Sequence, residues 1–180
     1  MNFVATAIPG AFIIDPERLA DERGFFARTW SEREFIARGL DPHLVQCSIS
    51  FNVRAGTLRG MHYQLPPFAE TKLVRCTRGA IHDVVVDLRE ESPAFLGHVA
   101  VELSMENRRM LYIPEGVAHG YQTLENATEV FYQMTAAYSP EHARGVRFDD
   151  PRFGIIWPPA AERIINERDR TYPNFTVGLR

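Results

Sequence analysis

Eight short β-rich runs, each bounded by glycine, proline or small polar residues, fill most of the chain between residues 45 and 138. They read VQCSISFNV, TLRGMHYQ, KLVRCT, AIHDVVVDL, GHVAVEL, RRMLYIP, YQTL and EVFYQMTAAY. Branched and aromatic residues at this spacing are the pattern of strands joined by tight turns. Such a chain is expected to fold as a sandwich or barrel of the jelly-roll kind. VATAIPGAFIID opens the chain with further alternation. One helix is predicted over residues 31 to 38, because Ser31 and Glu34 have capping-box spacing and Gly39 supplies a stop. From about residue 140 five prolines cut the chain into short apolar pieces, which predicts turns and a helical fragment docked on the β core. No repeat, linker or low-complexity segment divides residues 1 to 180, so one domain is expected.

Composition narrows the function classes. Of the 180 residues 45% are apolar, enough for a core, and the net charge is −3. The pI is near 6.1 and the basic residues do not cluster, so no nucleic-acid partner is expected. No apolar run approaches the roughly 20 residues of a membrane span, and the start of the chain lacks signal-peptide character. Cys47 and Cys76 are too few for a disulfide scaffold. A reduced, cytoplasmic setting without a membrane partner is the expectation.

The stretch TLRGMHYQ raises the functional question. A period-2 strand puts Leu58, Gly60, His62 and Gln64 on one face and Arg59, Met61 and Tyr63 on the other. If Arg59 and His62 serve one site, the strand is irregular between them, and Gly60 is the cheapest place for a bulge. Lys72 opens KLVRC; taken alone, it reads as a solvated edge residue before it reads as a site residue. In AIHDVVVDLR both faces are mostly apolar, so the strand is expected to be buried and Asp83 to need a partner. That partner could be backbone in the core or a group of a site.

His119 follows a Pro-x-Gly turn in PEGVAHGYQ, which is similar to the second motif of the cupin superfamily. A metal cupin would also show His-x-His with a nearby glutamate in its first motif. Here that place holds His62, Tyr63 and Gln64, with Lys72 close behind, a poor donor set for a divalent ion. The pocket is therefore expected to bind no metal. Tyr132 and Tyr138 lie in EVFYQMTAAY, where strand tyrosines are ordinarily core or rim. Asp169 stands between two arginines in NERDR, a setting typical of surface ion pairs. Together, a base, a carboxylate, a lysine and a tyrosine form a set suited to proton abstraction beside a carbonyl.

The combination DERGFF, LRGMHYQ, KLVRCTRGAIHDVVVDLR, the Ser-Pro of ESPAF, IPEGVAHGY and IIWP closely resembles the dTDP-4-dehydrorhamnose 3,5-epimerase family, over residues 21 to about 170. The resemblance implies a mainly β, cupin-type double-stranded β-helix (jelly roll) with a few short peripheral helices. It implies a homodimer that uses no cofactor and no metal, acting on a nucleotide-linked 4-keto-6-deoxyhexose through an enolate. By residue, it implies His62 as the base, Asp169 as its paired carboxylate, Lys72 against the enolate oxygen, and Tyr132 as proton donor on the opposite face. His119 and Asp83 would line the pocket. Arg23 and Arg59 fall where family arginines hold the diphosphate, Phe26 where a ring packs near the base, and Gln46 and Tyr138 at binding positions.

Departures from the family pattern concentrate near the nucleobase. Arg28 replaces a glutamate, Ser48 replaces the asparagine of Gln-x-Asn-x-Ser, and one extra residue precedes His62. The late Ser-x-Lys-Asp pattern reads Asn166-Glu-Arg168-Asp169. Arginine only donates, so it cannot accept the N3 proton of thymine, but it suits guanine or cytosine acceptor edges. The nucleotide thus stays open among dTDP, CDP and GDP, with Arg28 turned to solvent or phosphate as the plainer alternative. A cupin ketoisomerase and a metal-dependent cupin enzyme are the competing activities, and a non-catalytic sugar-binding cupin is the remaining one.

Overall fold

The computed structural model describes residues 1–178. Two antiparallel sheets lie face to face. One has the order β1 (Asn2–Ala5), β2 (Phe12–Asp15), β10 (Met110–Ile113), β7 (Lys72–Arg78), β12 (Thr128–Met134), β5 (Gln46–Asn52). The other has the order β13 (Ala143–Gly145), β6 (Leu58–Gln64), β11 (Val117–Thr123), β8 (Ala80–Asp87), β9 (His98–Ser104). A separate hairpin, β3 (Arg18–Asp21) and β4 (Gly24–Ala27), stands off the sandwich. Two one-turn helices, α1 (Glu32–Ile36) and α2 (Glu167–Thr171), complete the described chain. This is the expected cupin-type jelly roll with short peripheral helices. No helix of the described residues is long and apolar enough to cross a membrane.

Alternation along the strands builds the core. Val74, Cys76, Leu111 and Val130 of the larger sheet meet Ile81, Val85, Leu103 and Tyr121 of the smaller one. The opposite face of β8 carries Val84 and Val86, which pack under Val146, Phe153 and Phe175 of the C-terminal region. That double covering explains the apolar character of β8 on both faces. Each fully buried valine contributes roughly 1.5–3 kcal/mol. The proline-rich tail therefore docks on the β core as expected, and α2 is its helical fragment.

The irregularity expected at Gly60 is present. On β6 and β11, His62 pairs with His119, yet Arg59 pairs with Tyr121, so three steps on β6 match two on β11. The extra residue flips the alternation. Met61 enters the outer cluster, while Arg59 and His62 stay level with Tyr121 and His119 on the inner side.

Two local expectations are corrected. The helix is shorter than residues 31 to 38, and Ser31 makes no side-chain capping bond. Glu34, its expected capping-box partner, instead accepts from the Met1 amine at 3.2 Å. β11 begins at Val117, four residues before the YQTL run, so the strand also takes in His119 just after the Pro-x-Gly turn. Its flanking strands β6 and β8 pair with it along its length and extend it.

Candidate active site

The open end of the sandwich collects polar side chains that alternate with core residues. On the larger sheet, Tyr132 pairs with Ser48 on one side and Val74 on the other, and Met134 pairs with Gln46 and Lys72. Since Val74 faces the core, the period of two turns Gln46, Ser48, Lys72 and Tyr132 to the same inner face. β6, β8 and β11 present Arg59, His62, Asp83 and His119 from across the gap.

His62 is 42% exposed at the mouth, and its Nε2 lies 2.7 Å from Oδ1 of Asp169, which is buried. The carboxylate is fixed on its other side by the Gly60 N–H, donating to Oδ2 at 3.1 Å. Helix α2 delivers it: the Asn166 side chain caps the helix by accepting from the Asp169 N–H at 2.6 Å. With Nε2–H donating to the carboxylate, the lone pair of the ring stands on Nδ1, ready to take a proton. Asp169 is thus no surface ion-pair residue, despite its arginine neighbours.

Lys72 also departs from its isolated sequence reading. β7 is interior to the larger sheet, and the Lys72 side chain is only 11% exposed. Its Nζ donates to the His62 carbonyl at 3.3 Å and stands 3.2 Å from Glu70 Oε1.

Deeper in the gap, His119 Nε2 lies 2.7 Å from Asp83 Oδ1, with both side chains buried. This answers the question of the Asp83 partner in favour of a histidine. The His119 ring lies 6.1 Å from that of Tyr132, edge to face. Burial pushes the Tyr132 phenol well above its ordinary pKa, reinforced by Tyr121 and Asp83 nearby. A phenol so placed is protonated at neutral pH and can serve as an acid.

Arg59 is held by its Nε, which donates to Asn52 Oδ1 at 2.9 Å. Asn52 and Ser50 in turn bond the Tyr121 hydroxyl, at 3.2 and 3.0 Å. Gln46 donates weakly to Ser48 Oγ at 3.4 Å and accepts from the Tyr138 N–H at 3.2 Å. The Tyr138 hydroxyl reaches Arg168 at 3.5 Å. Beside the base, the Tyr172 ring stands 6.0 Å from that of His62. A cavity of about 240 Å³ joins His62, Lys72, Glu70, Tyr138, Arg168 and Tyr172.

Three expected binding residues are not brought to this gap within the chain. Arg23 binds Asp21 at the hairpin tip, Phe26 is 67% exposed on β4, and the Arg28 side chain is 58% exposed, 3.9 Å from Glu34. Arg28 thus takes the solvent-facing alternative in the isolated chain. Conversely, Asn52, Glu70, Tyr121 and Tyr172 went unnoticed in the sequence. Tyr121 was reachable: it lies two residues beyond His119 and shares its face once the strand is extended. Among the described residues no group of three or more His, Cys, Asp or Glu side chains is placed to hold a metal ion.

Both the sequence and the fold match one family of known proteins. The family model described as dTDP-4-dehydrorhamnose 3,5-epimerase matches residues 5–176. The dTDP-4-dehydrorhamnose 3,5-epimerase of Sinorhizobium fredii is 44% identical over 174 residues, covering 97% of this chain and 89% of that protein. The Bacillus anthracis enzyme of the same description, solved with TDP and PPi bound, superposes with a TM-score of 0.92 at 37% identity, covering 97% of this chain and 99% of that one. The dTDP-6-deoxy-D-glucose-3,5-epimerase of Legionella pneumophila, in complex with dTDP-4-keto-L-rhamnose, gives 0.90 at 34% identity, covering 96% and 92%. Agreement over nearly the whole chain favours an epimerase over a ketoisomerase or a metal cupin. The chain belongs to the dTDP-4-dehydrorhamnose 3,5-epimerase family, and it is an isomerase of the epimerase type.

Proposed function

We propose that this protein inverts C3 and C5 of a dTDP-linked 4-keto-6-deoxyhexose, as one catalytic domain. The observation that carries the reading is the His62–Asp169 pair at the mouth of the gap, with its free ring nitrogen available and Lys72 beside it. His62 Nδ1 takes the proton from the carbon next to the 4-keto group. The C–H electrons move into the ring and the carbonyl π electrons onto O4, giving an enolate. Lys72 holds that oxygen, and in a water-poor gap a fixed ammonium is worth far more than in solution. Asp169 stabilises the imidazolium. Tyr132 returns a proton to the opposite face, inverting the centre, and exchange with water restores both groups.

The remaining residues hold substrate. Arg59 keeps terminal N–H groups for a diphosphate while Asn52 fixes its Nε. Gln46, Ser48 and Tyr138 line the outer end, and the His119–Asp83 pair lines the floor. The dTDP carrier is supported by the nucleotide and sugar bound in the Bacillus and Legionella relatives. A homodimer is supported by the exposed apolar stripe of the edge strand β5, Ile49 and Phe51 with Val53 beyond, and by the exposed Leu19, Phe25 and Phe26 of the hairpin. Arg23 and Phe26 of the hairpin, and Arg28 just after it, are exposed in the single chain, so an assembly is what would bring them to a binding gap. Two free cysteines suit a cytoplasmic setting.

Incubation with dTDP-4-keto-6-deoxyglucose in D2O, read at C3 and C5 by NMR, tests the reading. Deuterium at both carbons with formation of the inverted sugar is expected. Exchange at one carbon only would reduce the activity to mono-epimerisation. Activity on the CDP- or GDP-linked sugar alone would overturn the dTDP assignment.

A further inference from the structure

Glu70 is the acidic neighbour of Lys72, and nothing in the reaction scheme requires it. It lies two residues before Lys72, and Thr71 between them is buried and clamped to Thr135: the Thr71 N–H donates to Thr135 Oγ1 at 2.9 Å, and the Thr135 N–H donates to the Thr71 carbonyl at 3.1 Å. In an extended segment, residues two apart share a side, so Glu70 and Lys72 both face the His62 cavity. The pair is 3.2 Å apart and both side chains are about nine-tenths buried. Among the described residues Glu70 has no other polar side-chain contact.

We propose that Glu70 is a positioning residue that aims the Lys72 ammonium. An ammonium has three N–H bonds. One points to the His62 carbonyl, while Glu70 Oε1 holds the nitrogen from 3.2 Å away as its ion-pair partner, both on the same framework. With the nitrogen held between these two points on the cavity wall, an N–H remains for the enolate oxygen that forms there. A lysine tied at only one of these points could swing on its four-carbon stem and lose that aim. What Glu70 has to supply in this arrangement is an oxygen held at this distance from the ammonium. The inference rests on the proposed role of Lys72.

Reach and charge are separated by two substitutions. Glu70→Gln keeps an acceptor at the same reach and drops the charge. Glu70→Asp keeps the charge and withdraws the oxygen by one methylene. We expect E70Q to hold kcat within about threefold of the parent, and E70D to lose about 10- to 100-fold in kcat with KM changed less than about threefold, because displacement by an ångström can cost about 100-fold. Glu70→Ala should resemble E70D. Lys72→Met is measured in parallel. Loss in K72M with parental kcat in E70D overturns the positioning role alone, as does E70Q falling as far as E70D. Parental activity in K72M overturns the role of Lys72 itself, and the inference with it.

Discussion

Gly60 and Gly120 face each other across β6 and β11 so closely that a Cβ on Gly60 would fall 2.5 Å from the Gly120 Cα. It would also lie 2.9 Å from the His119 carbonyl oxygen. Gly60 has φ of +128°, which side chains rarely adopt. Both atoms it would strike are backbone and cannot step aside. Gly60→Ala should therefore destabilise the protein by about 3 kcal/mol through strain and overpacking. Because the bulge sets Arg59 and His62 on one side, activity should fall with it. Chemical denaturation and the exchange assay together check this; an unchanged midpoint would contradict the close approach.

Asp169→Asn should separate orientation from stability. An asparagine oxygen can still accept from the Gly60 N–H, so the melting temperature should stay within a few degrees. Its amide nitrogen then donates toward His62 Nε2, and the ring proton moves to Nδ1, which removes the base. Exchange at C3 and C5 should drop by roughly 10²–10⁴-fold, the range expected for losing a general base. Asp169→Ala should lose activity as well, and additionally about 1–3 kcal/mol for the orphaned Gly60 N–H.

Cys76 makes a signed prediction for alkaline pH. Its thiol is buried, and burial pushes its pKa from 9.0 up to about 12. A raised folded-state value means the unfolded chain loses its proton first. The stabilising effect is full below pH 9 and is lost as the pH rises toward 12. On the scale of ~1.4 kcal/mol per pKa unit, this amounts to a few kcal/mol. Melting temperatures from pH 8 to 11 should fall more steeply for the parent than for Cys76→Ala. Equal slopes would show the thiol to be uninvolved. In the folded protein the exposed Cys47 should react with a thiol reagent while Cys76 does not.

Ile49→Asp tests the assembly. Ile49 is 63% exposed on the outward face of an edge strand. A charge there should convert a dimer to a monomer in analytical ultracentrifugation while leaving the cooperative melt intact. Exchange activity should fall too, since the hairpin of a second copy is then absent. A parent protein that sediments as a monomer at micromolar concentration would remove the dimer from the reading.

Local alternation carried most of the fold into view. AIHDVVVDL announced a strand covered on both sides, and it is one. Gly60 marked the bulge because only a break in period could join Arg59 to His62. Other features escaped for physical reasons. The capping box failed at Ser31 because the partner glutamate was drawn away by the chain's own amine, a contact between residues 33 apart in sequence. Lys72 read as an edge because a strand's place in a sheet is set by its neighbours, not by its own residues. Asn52 and Tyr121 join through a bond spanning 69 residues, and neither has a distinctive local context. Phe26 and Arg28 show the same limit from the other side: their motif was visible, but their distance from His62 is a property of the folded chain.

Asp169 follows its histidine by 107 residues and reaches it only when α2 docks on β6. The base and its orienting group therefore belong to different stages of chain synthesis. A nascent chain that has completed both sheets already carries the lysine, the tyrosine and the histidine, but the imidazole is still free to choose the wrong tautomer. In the proposed mechanism, the orientation of the His62 ring therefore waits for α2 to dock on β6.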